Sequence, residues 1–135
     1  MAALTRDRNT PRRDGISLSV PVAAAKKIYA GSLVAVDASG YATPGATATT
    51  IRGIGRAEAL ADNSAGSAGA LSVSVQRGVF CFANSTSADL ITRASIGTDC
   101  YIVDDQTVAK TSGTSTRSIA GKVFDVDTDG VWILF

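Results

Sequence analysis

The side chains able to do chemistry are few, and their types narrow the options at once. The chain contains no histidine, which removes the commonest general base and the commonest metal ligand together. Serine triads and Cys–His pairs are excluded in their usual form. Carboxylates remain: Asp104-Asp105, the series Asp125, Asp127 and Asp129, and a single glutamate, Glu58. Glycosidic hydrolysis needs two carboxyl groups facing one bond, whereas adjacent strand residues such as Asp104 and Asp105 face opposite ways. Asp125-Val126-Asp127-Thr128-Asp129-Gly130 opens like a calcium loop, but the position that must supply the bidentate glutamate falls beyond Phe135. A hairpin with acidic shoulders is the simpler reading. Arg52-Gly53-Ile54-Gly55-Arg56 carries G-x-G, yet Glu58 stands where a dinucleotide fingerprint needs its third glycine, and no helix follows. The expectation is a protein that is not an enzyme, with no catalytic residue, no metal and no cofactor.

Charge points the same way. Thirteen basic and twelve acidic side chains leave a net charge of +1, too little for a general nucleic-acid or membrane-surface footprint. Arg52, Arg56 and Arg77 could line a basic strip, but single-strand binders interleave such charges with stacking aromatics. None of the eight aromatics adjoins Arg52 or Arg56 in sequence. No run approaches the ~18 apolar residues of a bilayer span, and no apolar leader precedes Gly15. The expectation is therefore no nucleic acid and no membrane. Cys81 and Cys100 lack C-x-x-C spacing and read as small buried hydrophobes. Whether they approach each other is open.

The elements that must position these groups are strands. Ile16, Leu18 and Val20 alternate with serines, and Pro21 confines that strand to an edge or ends it. Leu71, Val73 and Val75 repeat the pattern more clearly. Segments 33–37, 51–59, 78–82, 100–104, 119–127 and 131–135 bring the count to about eight. Asp129-Gly130 marks a hairpin. Only 23–30, with Ala23, Ala24, Ala25, Lys26 and Lys27, reads as a helical turn. Small-residue stretches at 42–50, 61–70 and 111–117 read as surface loops. The fold class is all-β: a single-domain, jelly-roll-like β-sandwich over residues 16–135, the alternatives being a small barrel or two similar β-units.

A repeat favours the last alternative. Gly31 and Gly55 lie twenty-four residues apart, as do Gly97 and Gly121, and the second pair follows the first by sixty-six. Each pair encloses a β-branched run closing on an aspartate, Asp37 or Asp104, then a small polar loop.

Two segments point to partners. Residues 1–15 hold Arg6, Arg8, Arg12 and Arg13 against Asp7 and Asp14 with no apolar period. They form an extended basic arm that is either a disordered terminus or orders on an acidic neighbour. Val131-Trp132-Ile133-Leu134-Phe135 is apolar at every position and needs cover on both faces. It is either a central strand of the core or a subunit interface reached by a face or an edge.

The order of these pieces resembles the small capsid cement, or head decoration, proteins of tailed bacteriophages. The likeness runs over about residues 28–135. It rests on the glycine-led strand, the I-x-G-x-A-like segment, Arg77-Gly78-Val79-Phe80, Gly97-Thr98-Asp99-Cys100-Tyr101 and Ala120-Gly121-Lys122-Val123. Thr98-Asp99 after Gly97 departs from the family's G-D-x-V-Y-like segment, and the arm lies outside the likeness. The resemblance implies a structural protein made in the host cytoplasm and placed on the outer capsid surface of the virion. Its partners would be the major capsid protein, whose subunits it ties together, and further copies of itself as a dimer or trimer. The alternative is a virion-associated or surface carbohydrate-binding β-module, for which Tyr29, Tyr41, Tyr101 and Trp132 are the aromatic candidates.

Overall fold

A computed structural model describes residues 2–135, and the chain in it is all-β: twelve strands and two single-turn 3-10 helices. The strands are β1 (Ser17–Pro21), β2 (Lys26–Ile28), β3 (Leu33–Val36), β4 (Ala42–Pro44), β5 (Arg52–Ala57), β6 (Ala61–Asn63), β7 (Ser72–Gln76), β8 (Val79–Asn84), β9 (Asp99–Ile102), β10 (Thr107–Ala109), β11 (Ile119–Asp127) and β12 (Gly130–Leu134).

Ten of these strands form two units with one topology. The first is a sheet in the order β1-β7-β5-β3-β4, and the second a closed barrel in the order β10-β8-β12-β11-β9. Replacing β1, β7, β5, β3 and β4 by β8, β12, β11, β9 and β10 turns one order into the other. The barrel closes through parallel pairing of β8 with β10. In the first unit the two edges meet in one parallel bridge, Val22 to Ala42.

The correspondence extends to register. Val36 pairs with Ala42, and Ile102 with Val108. Leu33 pairs with Arg56, and Asp99 with Lys122. Each of those partners is shifted by sixty-six residues. Both units also skip one residue at the same place. Ala35 faces Gly53 and Val34 faces Gly55, leaving Ile54 as a bulge; Tyr101 faces Ile119 and Cys100 faces Gly121, leaving Ala120. The Gly31 amide donates to Ala57 O at 2.9 Å, as the Gly97 amide does to Val123 O at 2.8 Å. The glycines are required where the chain turns: Gly31 has φ +84° and Gly97 φ +89°, a region costly for side-chain-bearing residues.

Each unit buries its own apolar set. Val20, Val22, Ile28, Val34, Val73 and Val75 lie in the first core, and Phe82, Ile91, Ile102, Val108, Val131 and Ile133 in the second. The architecture is all-β, as expected, and is realised as two similar β-units, one of them a small barrel. Strand number rises from about eight to twelve through four short strands: three lie in expected turns or loops, and the fourth, Thr107–Ala109, pairs with β8 and β9. Lys26–Ile28 is not helical: Ala25 turns at φ 58°, and β2 pairs with β6, burying Ile28 completely. Ala42–Pro44 and Ala61–Asn63, assigned to loops on composition, pair because their alanines fit against a crowded core. Tertiary packing overrides local propensity at all three.

Candidate interaction surface

The arm lies fully outside both units. Residues 2–15 are exposed and form no strand, so Arg6, Arg8, Arg12 and Arg13 are presented to solvent. Ion pairs among the described residues join Lys27 to Asp62, Arg56 to Glu58, Arg117 to Asp89 and Lys122 to Asp99; none uses an arm arginine. Arg13 stands over a shallow groove with Leu18, Glu58 and Val75, where the arm runs into β1. β1 is an edge strand, as Pro21 requires.

The terminal strand is divided by its pleat. Val131 and Ile133 point into the barrel and are fully buried, whereas Trp132, Leu134 and Phe135 retain exposure. β12 lies between β8 and β11 and is hydrogen-bonded on both sides. Its edges are therefore occupied within the chain, and strand addition along residues 131–135 has no place to occur. What this strand offers outward is a face. Leu134 lies opposite Val79 on one side and Lys122 on the other, and Trp132 lies opposite Cys81 and Asp125. Phe124, 57% exposed at a second bulge in β11, completes an apolar patch with Leu134, 46% exposed. Trp132 is fixed by its Nε1, which donates to Asp127 Oδ2 at 2.8 Å.

The arginines at the junction of the units are better placed than their sequence neighbours imply. The Arg56 guanidinium stacks over the Phe80 ring at 4.2 Å and donates to Glu58 and Gln76. Arg52 and Arg77 line one depression with Leu18, Ile54 and Phe135. Phe80 and Phe135 are far from these arginines in sequence and no local signal announces them. Tyr29 is 57% exposed with Lys27 over its ring at 5.1 Å, opposite the register position of the exposed Leu60.

The acidic clusters serve local structure. Asp127 Oδ1 accepts from the Asp129 amide, which fixes the tight turn at Thr128-Asp129, and Asp125 Oδ1 accepts from the adjacent Val126 amide within β11. Gly130 is set by close approach as well, since a Cβ there would lie 2.4 Å from Phe82 O. Asp104 Oδ1 accepts from the Gln106 amide, and Asp105 Oδ2 from the Ser32 hydroxyl. Among the described residues no group of three ligating side chains is arranged to hold a metal ion. The Asp89 carboxyl is held below its ordinary range by the Thr111 hydroxyl first and by Arg117 second.

The two cysteines are separate free thiols. Cys81 is half-buried on the outer face of β8, and Cys100 is buried in the second core with its Sγ–H aimed at Gly121 O. Burial pushes the Cys100 thiol up to about 12 from an ordinary 9.0. The fold favours the neutral thiol, so its contribution is complete below pH ~9 and is lost as pH rises through the folded value. Thermal melts from pH 8 to 11 should show the wild type losing midpoint faster than Cys100→Ala. Equal slopes for both proteins would refute the assignment.

No family model, no curated protein and no solved structure matches this chain.

Proposed function

We propose that this chain is a structural cement protein of an icosahedral phage head, binding the outer capsid surface and holding neighbouring major capsid protein subunits together. The observation that carries the reading is the arm: four arginines exposed along residues 2–15, with no carboxylate partner in the rest of the described chain. Such a segment has its electrostatic complement elsewhere, and an acidic capsid surface supplies it. The patch of Phe124, Trp132 and Leu134 provides the apolar part of a subunit contact and replaces the strand-edge role first expected of the last strand. On this reading the protein catalyses no reaction. It acts as a homo-oligomer whose modest contacts multiply through simultaneous engagement of several subunits.

The test is co-sedimentation of the full chain, and of a variant lacking residues 1–15, with mature heads stripped of the protein. Full-length protein should saturate at a fixed ratio to capsid subunits. Truncation should weaken binding at least tenfold, remove most of the salt dependence and leave the thermal midpoint unchanged. Absence of binding to every head form overturns the proposal, and unfolding of the truncated chain overturns the role of the arm.

A further inference from the structure

The two units meet along a seam. Leu33 and Ala35 of the first unit enter the second core, and the Leu33 amide donates to Asp105 O at 2.8 Å. Gly53 lies so close to the second unit that a Cβ on it would stand 2.2 Å from Ala120 O. Beside this contact the surface dips twice, into depressions of about 240 Å³ and about 340 Å³. Arg52 lines both, so they adjoin at its side chain. The smaller holds Leu18, Ile54 and Phe135 with Arg77. The larger holds Ile51, Tyr101 and Ile119 with Arg117.

Charge along the seam is of one sign. Neither depression is lined by an aspartate, a glutamate or a lysine; every charged group in them is an arginine. At the same junction Arg56 has its carboxylate in Glu58, at 2.7 Å, and Arg117 has Asp89, at 3.2 Å. Arg52 and Arg77 enter no ion pair among the described residues. Asp37, on the far flank of Arg52, uses its Oδ1 to accept the Ser39 and Tyr41 amides. The apolar groups between the arginines are incompletely covered. Leu18 and Ile54 form a half-buried margin of the first core, and Ile51 and Phe135 one of the second. Ile119 is 44% exposed. A contiguous apolar strip rimmed by charge marks an interaction surface.

We infer that the seam is a docking groove for an extended acidic segment of a partner protein, with carboxylates on Arg52 and Arg77 and interleaved apolar side chains on the strip beside them. Residues two apart in an extended chain lie about 7 Å apart on one side, and those between them face the other way. Such a segment meets both features of the groove at once. Its carboxylates supply the charge that Arg52 and Arg77 lack within the chain. A guanidinium holds a carboxylate through two parallel hydrogen bonds, which a lysine cannot do. The strip disfavours a nucleic acid, because Leu18, Ile51, Ile54 and Ile119 are aliphatic, whereas single strands are held on aromatic rings. The inference goes beyond the proposed function and does not depend on the capsid.

The test is fluorescence anisotropy of the full chain with a labelled ten-residue peptide in which aspartate and leucine alternate. It is run at about 0.15 M salt, where separated exposed charges are screened. Binding should saturate at one peptide per chain. Arg52→Ala and Arg77→Ala should each weaken it about tenfold, the scale of a charge-assisted hydrogen bond, and leave the thermal midpoint unchanged. Arg52→Lys should recover only part of that loss, because the charge returns without the fork. Arg93→Ala, outside the seam, should bind as the wild type does, and so should a full-length variant with Arg6, Arg8, Arg12 and Arg13 changed to alanine. A peptide of the same composition, with its aspartates and leucines in separate blocks, should bind at least about tenfold more weakly. The inference is overturned if binding does not saturate, if the blocked peptide binds equally, or if the arm arginines carry the affinity in place of Arg52 and Arg77. Displacement of the peptide by an equal concentration of a short oligothymidylate overturns it too. Failed head co-sedimentation would leave the peptide result in place, and absence of peptide binding would leave co-sedimentation untouched.

Discussion

Ile133→Ala should lower stability by about 3 kcal/mol, because it empties a fully buried position at the centre of the second core. The thermal midpoint should fall by roughly 10 °C for a chain of this size. Leu134→Ser, one residue on, should shift it by no more than about 0.5 kcal/mol, since that side chain faces outward and is 46% exposed. Denaturant titration of both variants measures the contrast directly. Equal losses would mean that the outward patch is covered within the folded chain. A negligible loss for Ile133→Ala would remove β12 from the core.

The second large effect is expected at Gly53. A methyl group there would meet backbone atoms of Ala120 at 2.2 to 2.8 Å, and backbone cannot rotate away as a side chain can. Gly53→Ala should therefore force β5 and β11 apart and cost about 3 kcal/mol. It should also loosen the seal that Leu33 and Ala35 place on the second core. Hydrogen exchange should show reduced protection at the Ile102 amide in particular, because it donates to Ser118 O, next to the strand that Gly53 meets. Gly40→Ala is the control: it also removes a glycine, and its Cβ meets nothing within 4 Å. Its cost arises from φ +87° alone. Protection lost equally in both variants would refute the wedge.

Much of the secondary structure was legible from side-chain period. Val73 and Val75 alternate with serines and are buried, as alternation requires. The matched glycine spacings suggested two similar β-units, an alternative to the jelly-roll-like sandwich, and the pairing repeats between the units down to a shared bulge at Ile54 and Ala120. Sequence could not show that Lys26–Ile28 is a strand, because its partner Ala61–Asn63 is distant and the order comes from pairing. Nor could it divide 131–135, where every residue is apolar and only neighbouring strands decide which face is inside. The Arg56–Phe80 stack was illegible for a similar reason: it joins different units, and neither residue has a distinctive local context. The packing of the first unit against the second was hidden most completely. Gly53 and Ile119 are equivalent positions, yet one is pressed against backbone and the other open.

The packing of Leu33 and Ala35 has a consequence for biosynthesis. Every strand pairing of the first unit is complete by Gln76, so this unit can form while the remainder of the chain is still being translated. Until β11 and β12 leave the ribosome, however, Leu33 and Ala35 have no cover and form a bare apolar strip on an otherwise folded sheet. During those seconds a neighbouring nascent chain could supply a second unit in place of the proper one, giving an exchanged dimer. Slowed translation across residues 100–130 would lengthen that window, and rapid release would shorten it. The cover of that strip is thus the second unit itself, and the first unit is finished only when the second has folded against it.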